Sequence, residues 1–482
     1  MLLLSMITAL IFCTYGEKNP AVQVVLTNKG LQYGRNVAAD WIQEKLEVVT
    51  LPDVDGEIPI GFLGHIGYTL TGVTIPKCDF PDPSLEFYQD VSGLKMSIAG
   101  LSIALTGAWR AHCGIIYGGG SFDLALFGVD LVSVVHLGSD GDGHLSLINV
   151  SCDTQTRDVD LRFYGGSSWI LQPFVKHLKA RIISQTEAKL CAAVEELIVN
   201  LDHHLQAMKV IFQVNQDLIL DLPLTGLPVI DASSIRLGFQ GEFYSIKSPK
   251  EPPFEAQPFV VPEHPGYMLS VGLSDFTLNS ASFGYFSAGL LQAFIDDSMI
   301  PPSSPVHLNT RSLGPFIPQL PKMFPDLPMV LHTYARHFPV FSFHPGAITL
   351  SLPSSVKAFA IQPNATLTPL FKLHVDSSFQ GRVWTDDGCV KGSVTMDSIT
   401  LTLAATVIGP FKTTALENLA KMAMKMFVLP RLNDKLSTGF ALPRTRHAQL
   451  VNSVLTVEEG FIAFCSDAKL QPSDHHLNEH TF

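Results

Sequence analysis

The stretch that decides the fold is Ser168–Val210, SWILQPFVKHLKARIISQTEAKLCAAVEELIVNLDHHLQAMKV. Its apolar residues recur at intervals of three and four, which is the spacing of one face of an α-helix. They are Phe174, Leu178, Ile182, Leu190, Val194, Leu197, Leu201 and Leu205. Charged and polar residues fill most of the other positions. A helix of this length has no core of its own, so its apolar stripe must lie along another element.

The segment before the helix predicts that partner. Asp158–Tyr164 alternates apolar with charged residues, a period of two that is typical of a half-buried strand. Cys152 precedes this segment and Cys191 lies inside the helix. In a secreted chain these two are the natural pair for a disulfide between sheet and helix. The sequence therefore predicts a twisted antiparallel sheet wrapped on a long helix.

Length and composition narrow the class of protein. A chain of 482 residues exceeds what one core usually holds, so two domains are expected. Hydrophobic residues make up 46% and charged residues 16%, and the usual charged share is about 25%. Such a chain has either extensive apolar surface to bury or an apolar ligand to cover it. The net charge of -12 argues against nucleic-acid binding, because neutralising phosphates requires clustered lysine and arginine.

The chain carries the marks of export. Residues 1–16 are short and apolar, as is typical of a signal peptide, and no later uncharged run of about 18 residues predicts a transmembrane span. We therefore expect a secreted, extracellular protein, with granule storage left open. Sequons predict glycosylation at Asn149 and Asn364. Without Cys13 of the signal, six cysteines remain, and sequence alone does not assign their bridges. We expect buried thiols at Cys78, Cys113, Cys389 and Cys465.

The order of elements repeats on either side of a proline-rich linker. Before it, a helix that follows Thr27 precedes a meander of strands with a hairpin turn at Gly138–Gly143, and then the long helix. After it, predicted helices at Ser280–Phe294 and Thr414–Phe427 are separated by strands. The predicted bounds are a signal peptide at 1–16, an N-terminal domain at 17–245, the linker at 246–266, a C-terminal domain at 267–468 and a disordered tail at 469–482.

Short motifs in order along the chain are Asn19-Pro20, Lys29-Gly30-Leu31-Gln32-Tyr33, Gly120-Ser121-Phe122-Asp123-Leu124, Gly241-Glu242-Phe243-Tyr244, Gly272-Leu273-Ser274-Asp275, Met299-Ile300-Pro301 and Val428-Leu429-Pro430-Arg431-Leu432-Asn433. Together with Cys152 and Cys191 they resemble the family of bactericidal/permeability-increasing protein and lipopolysaccharide-binding protein over nearly the whole mature chain. The resemblance implies an α+β fold, an elongated boomerang of two similar domains. Each domain would be a twisted antiparallel sheet or barrel wrapped on long helices, and a central sheet and the linker would join them. The resemblance also supports the Cys152–Cys191 disulfide.

The resemblance further implies an apolar pocket for phospholipid acyl chains in each domain. Burial contributes about 0.8 kcal/mol per methylene, so two acyl chains bind strongly without any catalytic group. Each candidate is individually more often a plain core residue than a lipid contact. The pocket candidates in the first domain are Leu31, Val37, Trp41, Phe174 and Leu178.

Antibacterial members of that family bind the phosphates of lipid A through basic residues at the tip of the N-terminal domain. The matching loops here are Glu44–Gly64 and Lys95–Gly118. Acidic residues outnumber basic ones in the first loop, so weaker and more salt-sensitive attraction to phosphate is expected. The headgroup candidates are Lys45, Lys95, Arg110 and His112.

Catalytic and metal motifs give no support to an enzyme. The sequence has no Gly-x-Ser-x-Gly elbow, phosphate loop or His-Glu-x-x-His motif. Asp140–Gly143 lacks the glutamate that a calcium loop needs. We therefore expect a monomeric, non-enzymatic protein without a metal or cofactor. The family resemblance further implies that it carries bound phospholipid, binds lipopolysaccharide on the bacterial outer-membrane surface and acts in antibacterial innate immunity. The alternatives left open are a phospholipid-transfer protein and a scaffold with filled cores.

Overall fold

The computed structural model describes residues 18–48, 50–51, 53–61, 64–302, 304–386, 388–442 and 448–470. For residues 38, 40–48, 50, 51, 177, 185, 186, 448 and 470 the backbone alone is described. The predicted signal peptide lies outside the described residues, as does the predicted tail from residue 471 onward. Strand β23 reaches Leu470, two residues into that predicted tail.

The fold is α+β and divides into two compact units. One contains Leu26–Met208 and Leu227–Arg236, and the other contains Lys209–Gly226 and the residues before Leu26 and from Leu237 onward. The linear domain bounds and the linker of the sequence analysis remain a prediction. Among the described residues no helix is both long and apolar enough to span a membrane.

Six α-helices are described, and the π-helical segment Met424–Val428 connects the last two. The helices are α1 Asn28–Val48, α2 Val175–Gln206, α3 Asp275–Ser287, α4 Leu320–Met323, α5 Thr414–Ala423 and α6 Leu429–Thr438. The strands are β1 Val22–Thr27, β2 Thr50–Leu51, β3 Val54–Pro59, β4 His65–Asp79, β5 Ser84–Tyr88, β6 Gly93–Cys113, β7 Ile116–Ser139, β8 Leu145–Tyr164, β9 Ile211–Gln213, β10 Leu218–Asp221, β11 Val229–Ile230, β12 Ser234–Phe239, β13 Glu242–Ser245, β14 Leu269–Ser274, β15 Gln292–Ile295, β16 Met329–Ala335, β17 Val340–His344, β18 Ala347–Ile361, β19 Leu367–Asp386, β20 Cys389–Thr406, β21 Phe440–Ala441, β22 Ala448–Val457 and β23 Phe461–Leu470.

The first unit is built on an antiparallel sheet in the order β2-β4-β6-β7-β8, with β3 paired to β4 and β5 to β6. Strands β6, β7 and β8 have 21, 24 and 20 residues, several times the usual strand length of about 5–6. Their pairings shift register at several places, and such bulges increase bending and twist. The sheet therefore curls, and its inner face forms an extended apolar core.

Helix α2 runs along the edge strand β8, as the sequence predicted. The Cys152–Cys191 disulfide is present, with the two Cα atoms 5.6 Å apart. The Glu187 carboxylate accepts a hydrogen bond from the backbone N–H of Thr156 at 2.8 Å, and the Asp202 carboxylate accepts one from the N–H of Leu147 at 2.8 Å. An exposed edge strand leaves N–H groups unpaired. The helix therefore satisfies part of the edge of β8 while the disulfide joins helix and strand.

The second unit contains another long-stranded sheet, in the order β15-β16-β18-β19-β20-β21 with β17 on β18. Its core contains residues from β16, β18, β19 and β20 and from α5, among them Met329, Ala358, Leu373, Leu401 and Leu416. A smaller sheet has the order β13-β10-β9. The two-domain α+β architecture with curled antiparallel sheets agrees with the predicted fold class.

One predicted helix is wrong in its bounds. The sequence analysis placed a helix at Ser280–Phe294, but α3 begins after Ser274, whose hydroxyl accepts a hydrogen bond from the N–H of Phe276. Gly289 follows the helix with φ of +69°, a left-handed conformation that ends helices. Residues from Gln292 then form β15, because the chain has already left the helical path.

The four cysteines outside the disulfide differ in how deeply they are buried. Cys465 is buried, and its sulfur accepts a hydrogen bond from the Ser270 hydroxyl at 3.3 Å. Cys78, Cys113 and Cys389 are only partly buried. The expectation of buried thiols therefore holds fully for Cys465 alone.

Candidate functional site

The turn between β6 and β7 projects large apolar side chains into solvent. Ile115 is 94% exposed, Tyr117 is 76% exposed and Ile116 is 48% exposed. Isolated exposed apolar residues are ordinary, but a contiguous group marks an interaction surface. We call these three residues the apolar tip.

Two basic candidates lie directly behind the apolar tip on the outer face of the sheet. His112 pairs with Tyr117 across the hairpin, and their rings stack with centroids 6.0 Å apart. Arg110 lies two residues earlier on the same face, opposite Gly119. The inner face is occupied by Trp109 and Ala111, which are buried. Alternation along β6 thus brings Arg110 and His112 together beside the apolar tip.

Trp109 anchors this end of the sheet from the inside. It is 1% exposed, its indole N–H donates to the Tyr164 carbonyl oxygen at 3.1 Å, and its ring meets Phe163 edge-on at 5.7 Å. A Cβ at Gly120 would lie 1.8 Å from that carbonyl oxygen and 3.0 Å from the indole nitrogen. Glycine is therefore required at 120. Trp109 is a core residue at the end of the sheet that carries the apolar tip.

Acidic residues flank the basic ones on the outer face. The register of β3, β4 and β6 puts Asp55, Thr69 and Arg110 in one cross-strand row. The adjacent row places Glu57 two strands from His112. Asp55 and Glu57 are both exposed. The positive potential at the tip is thus partly offset by neighbouring carboxylates.

The structure brings to strand β3 a basic residue that the sequence analysis missed. Arg181 of α2 is exposed, and its guanidinium donates to the Glu57 carbonyl oxygen at 2.9 Å. The two residues are 124 positions apart in the chain, so only the packing of α2 on the sheet brings them together. On the helix Arg181 looked like any other polar-face residue, and the sequence carried no signal for this role.

Of the remaining headgroup candidates, Lys95 lies far from Arg110 and His112. Lys95 lies near the start of β6, fifteen residues before Arg110, a separation on the order of 50 Å along an extended strand. Its ammonium pairs with Glu86 at 3.2 Å. The side chain of Lys45 lies outside the described residues. The structure therefore brings together Arg110 and His112 but not Lys95.

The residues predicted to line a lipid pocket differ in how deeply they are buried. Leu178 is 3% exposed and Phe174 is partly buried, and both pack in the core between α2 and the sheet. Leu31 of α1 is buried and Val37 is partly buried. The side chain of Trp41 lies outside the described residues.

The apolar stripe of α2 is covered only in part. Ile182, Leu190 and Val194 pack against the core but remain partly exposed. Farther along the same stripe Leu197 is 57% exposed and Leu201 is 53% exposed. The helix therefore offers more apolar surface than the described part of the sheet covers.

The turn that looked faintly calcium-like serves the hairpin between β7 and β8. Asp140 accepts hydrogen bonds from the backbone N–H groups of Asp142 and His144 at 2.9 and 2.8 Å, and contacts the His144 ring at 2.8 Å. Burial acts to raise the pKa of Asp140, but these hydrogen bonds outweigh it and the pKa is lowered. This carboxylate stabilises the turn in its ionised form.

The two sequons lie in different settings. Asn364 is exposed in the turn after β18, where its side-chain oxygen accepts hydrogen bonds from the N–H and hydroxyl of Thr366. Asn149 lies within β8 and is partly buried. Glycosylation at either position remains a prediction.

Comparison with known proteins identifies the family. The N-terminal domain model of the LBP / BPI / CETP family matches residues 30–201, and its C-terminal domain model matches residues 213–470. The chain belongs to the LBP / BPI / CETP family. This is a family of lipid-binding, non-enzymatic proteins, as the sequence resemblance implied.

Relatives within this family match over nearly the full chain. The chain is 34% identical to the bactericidal permeability-increasing protein of Sebastes schlegelii, over 94% of this chain and 95% of that protein. It is 29% identical to the lipopolysaccharide-binding protein of Bos taurus, over 92% of each chain. The crystal structure of lipopolysaccharide binding protein aligns with 94% of this chain and 99% of that chain, with a TM-score of 0.58 and 25% identity.

Proposed function

We propose that this chain is a secreted, monomeric protein that binds lipopolysaccharide at the β6–β7 tip and acts in antibacterial innate immunity. The observation that carries the proposal is the apolar tip with Arg110 and His112 directly behind it. Lipid A combines phosphate groups with acyl chains. The Arg110 guanidinium and the His112 ring offer hydrogen-bond donors to the phosphates, and the apolar tip offers apolar side chains to the acyl region.

We also propose that phospholipid binds inside the first unit, along α2. The partly exposed stripe at Ile182, Leu190 and Val194 lies beside the inner face of a curled apolar sheet. An acyl chain lying on this stripe would remove apolar surface from water at about 25 cal/mol per Å². Organic extraction of the purified protein followed by mass spectrometry tests this proposal, and an extract without phospholipid would contradict it.

A second candidate function is phospholipid transfer without strong affinity for lipopolysaccharide. The carboxylates near the tip favour this second function. Asp55 lies in the cross-strand row of Arg110, and Glu57 lies in the row of His112, so each basic residue has a carboxylate nearby on the same face. Movement of labelled phospholipid between vesicles, together with weak binding of labelled lipopolysaccharide at low salt, would favour transfer over the first proposal.

Replacing Ile115 and Ile116 with serine is expected to weaken lipopolysaccharide binding by at least about tenfold. The reason is that each isoleucine side chain would be transferred from water into contact with acyl chains on binding, and serine loses that contribution. Both are exposed, so the fold should be unaffected. The matched control is Ile148→Ser with Val150→Ser, because these residues are 58% and 49% exposed near the opposite end of β7 and β8. Titration with labelled lipopolysaccharide measures both. Equal losses of affinity in the two double variants would argue that the apolar tip is not a specific binding site.

Arg110→Gln is expected to weaken lipopolysaccharide binding about fivefold at low salt, because one basic residue near an anionic surface contributes about 1 kcal/mol. Lys95→Gln removes the same charge from the distant end of β6 and should leave binding unchanged. The same titration, repeated at low and physiological salt, measures both effects. If Lys95→Gln weakens binding as much as Arg110→Gln, the headgroup does not bind at the tip.

A further inference from the structure

The outer face of the second unit's long-stranded sheet carries an unusual group of side chains. One cross-strand row runs Phe294, His332, Lys357 and Lys372 over β15, β16, β18 and β19. The adjacent row places Tyr334 opposite Ser355. The residues that alternate with these rows, Leu331, Ala358 and Leu373, belong to the core. Both rows therefore face away from the core.

Two lysines in this group lie directly opposite each other, and the described part of the chain supplies no counter-ion to either. Lys357 pairs with Lys372 across β18 and β19, and like charges in that position destabilise a sheet. Among the described residues no carboxylate is within ion-pair distance of either ammonium. Asp376, on the same face of β19, is already bound by Arg336. The fold thus accommodates a repulsive pair that a single bound anion would stabilise.

The ammonium groups of both lysines approach the ring of Tyr334. The ammonium groups of Lys357 and Lys372 are 5.4 and 5.9 Å from the centre of its ring. Burial acts to raise the pKa of Tyr334, but hydrogen bonding with Lys372 and Ser355 and the two positive charges lower it overall. Burial and the charges of Arg336 and Lys372 also lower the pKa of His374 in the neighbouring row. Both shifts are consistent with a positive local potential.

An open cavity of about 350 Å³ adjoins this group. Its lining includes Lys357, Tyr334, His332, Gln292, Leu291 and Phe286. The His332 ring stacks on Phe294 with centroids 4.4 Å apart, and its Nε2 contacts the Gln292 side-chain oxygen at 3.0 Å. The cavity is within the usual size range for small-ligand sites, roughly 300–1,000 Å³. Its lining combines apolar side chains with Lys357, and Lys372 lies opposite Lys357 on the neighbouring strand.

We propose that Lys357 and Lys372 together bind the phosphoryl group of an anionic ligand whose remaining atoms lie in the adjoining cavity. The Tyr334 hydroxyl, beside Lys372, supplies a further donor. A phosphoryl group fits this arrangement because it brings at least one negative charge and several acceptor oxygens to two opposed ammonium groups. The site lies within the second unit and is independent of the function proposed for the apolar tip. The group is carried either by a lipid headgroup or by a soluble phosphate, and the experiment separates these sources.

The test compares the full chain with the double variant K357Q/K372Q. The matched control is K412Q/K425Q, which removes two exposed lysines of the same unit. Sedimentation with phosphatidylcholine vesicles, with and without phosphatidic acid, measures binding to a lipid phosphate. The rise in Tm on adding inorganic phosphate, compared with chloride at equal ionic strength, measures binding of the soluble anion.

K357Q/K372Q is expected to lose affinity for phosphatidic acid vesicles on the order of tenfold, or to lose the phosphate-specific rise in Tm, while K412Q/K425Q retains both. A loss confined to vesicles identifies a lipid headgroup, and a loss that includes inorganic phosphate identifies the phosphoryl group itself. Equal losses in the two double variants would show only general charge attraction and would overturn the proposal. An unchanged K357Q/K372Q variant would equally overturn it, since the lysines would then serve only to pack on Tyr334.

Discussion

Replacing Cys152 and Cys191 together with alanine is expected to lower the free energy of unfolding by about 4 kcal/mol, the chain-entropy value for a loop of this length. The bridge closes a sequence separation of 39 residues and joins α2 to the edge strand β8. Without it, the hydrogen bonds of Glu187 and Asp202 to the edge of β8 would still connect the two elements. Urea-induced unfolding of the double variant measures the loss.

The control for this prediction is Cys389→Ala, which removes a partly buried thiol that forms no disulfide. It should change the free energy of unfolding by much less than the double variant does. Amide hydrogen exchange gives a local measure, because protection should fall first in α2 and β8. Unfolding of the double variant at the wild-type urea concentration would mean that the hydrogen bonds and apolar contacts suffice to hold helix and sheet together.

Trp109→Ala is expected to lower the free energy of unfolding by about 3–5 kcal/mol, the usual cost of truncating a buried tryptophan. The variant would leave a cavity beside Phe163 and remove the hydrogen bond to the Tyr164 carbonyl oxygen. Because Trp109 precedes Arg110 on β6, lipopolysaccharide binding should fall as the outer face loses its support. Thermal unfolding and the binding titration together measure the two effects.

Trp169→Ala provides the matched control, since Trp169 is 63% exposed in the segment before α2. Its replacement should change stability by less than about 1 kcal/mol, as is usual for surface positions. A similar destabilisation in both variants would contradict the assignment of Trp109 as the anchor of the tip. Loss of binding in Trp109→Ala without loss of stability would instead indicate direct contact with the lipid.

Local patterns in the sequence determined the main elements of the first unit. The three-and-four spacing around Leu178 and Val194 predicted α2, and alternation at Asp158–Tyr164 predicted part of β8. The cluster of turn residues at Gly138–Gly143 predicted the hairpin between β7 and β8, although β7 itself extends to Ser139. These predictions succeeded because periodicity and turn preferences act over a few neighbouring residues. The motifs spread over the chain indicated the protein family, and the family resemblance supported the Cys152–Cys191 disulfide.

Only the tertiary structure decided which side chains share a surface. It placed Lys95 far from Arg110 on one strand, brought Arg181 of α2 to Glu57, and set Asp55 in the row of Arg110. In the second unit it likewise set two lysines opposite each other. The physical reason is that each of these neighbourhoods depends on the register between strands or on helix–sheet packing. A register is set by the summed burial of whole strands, and one residue of slip would turn every side chain to the opposite face.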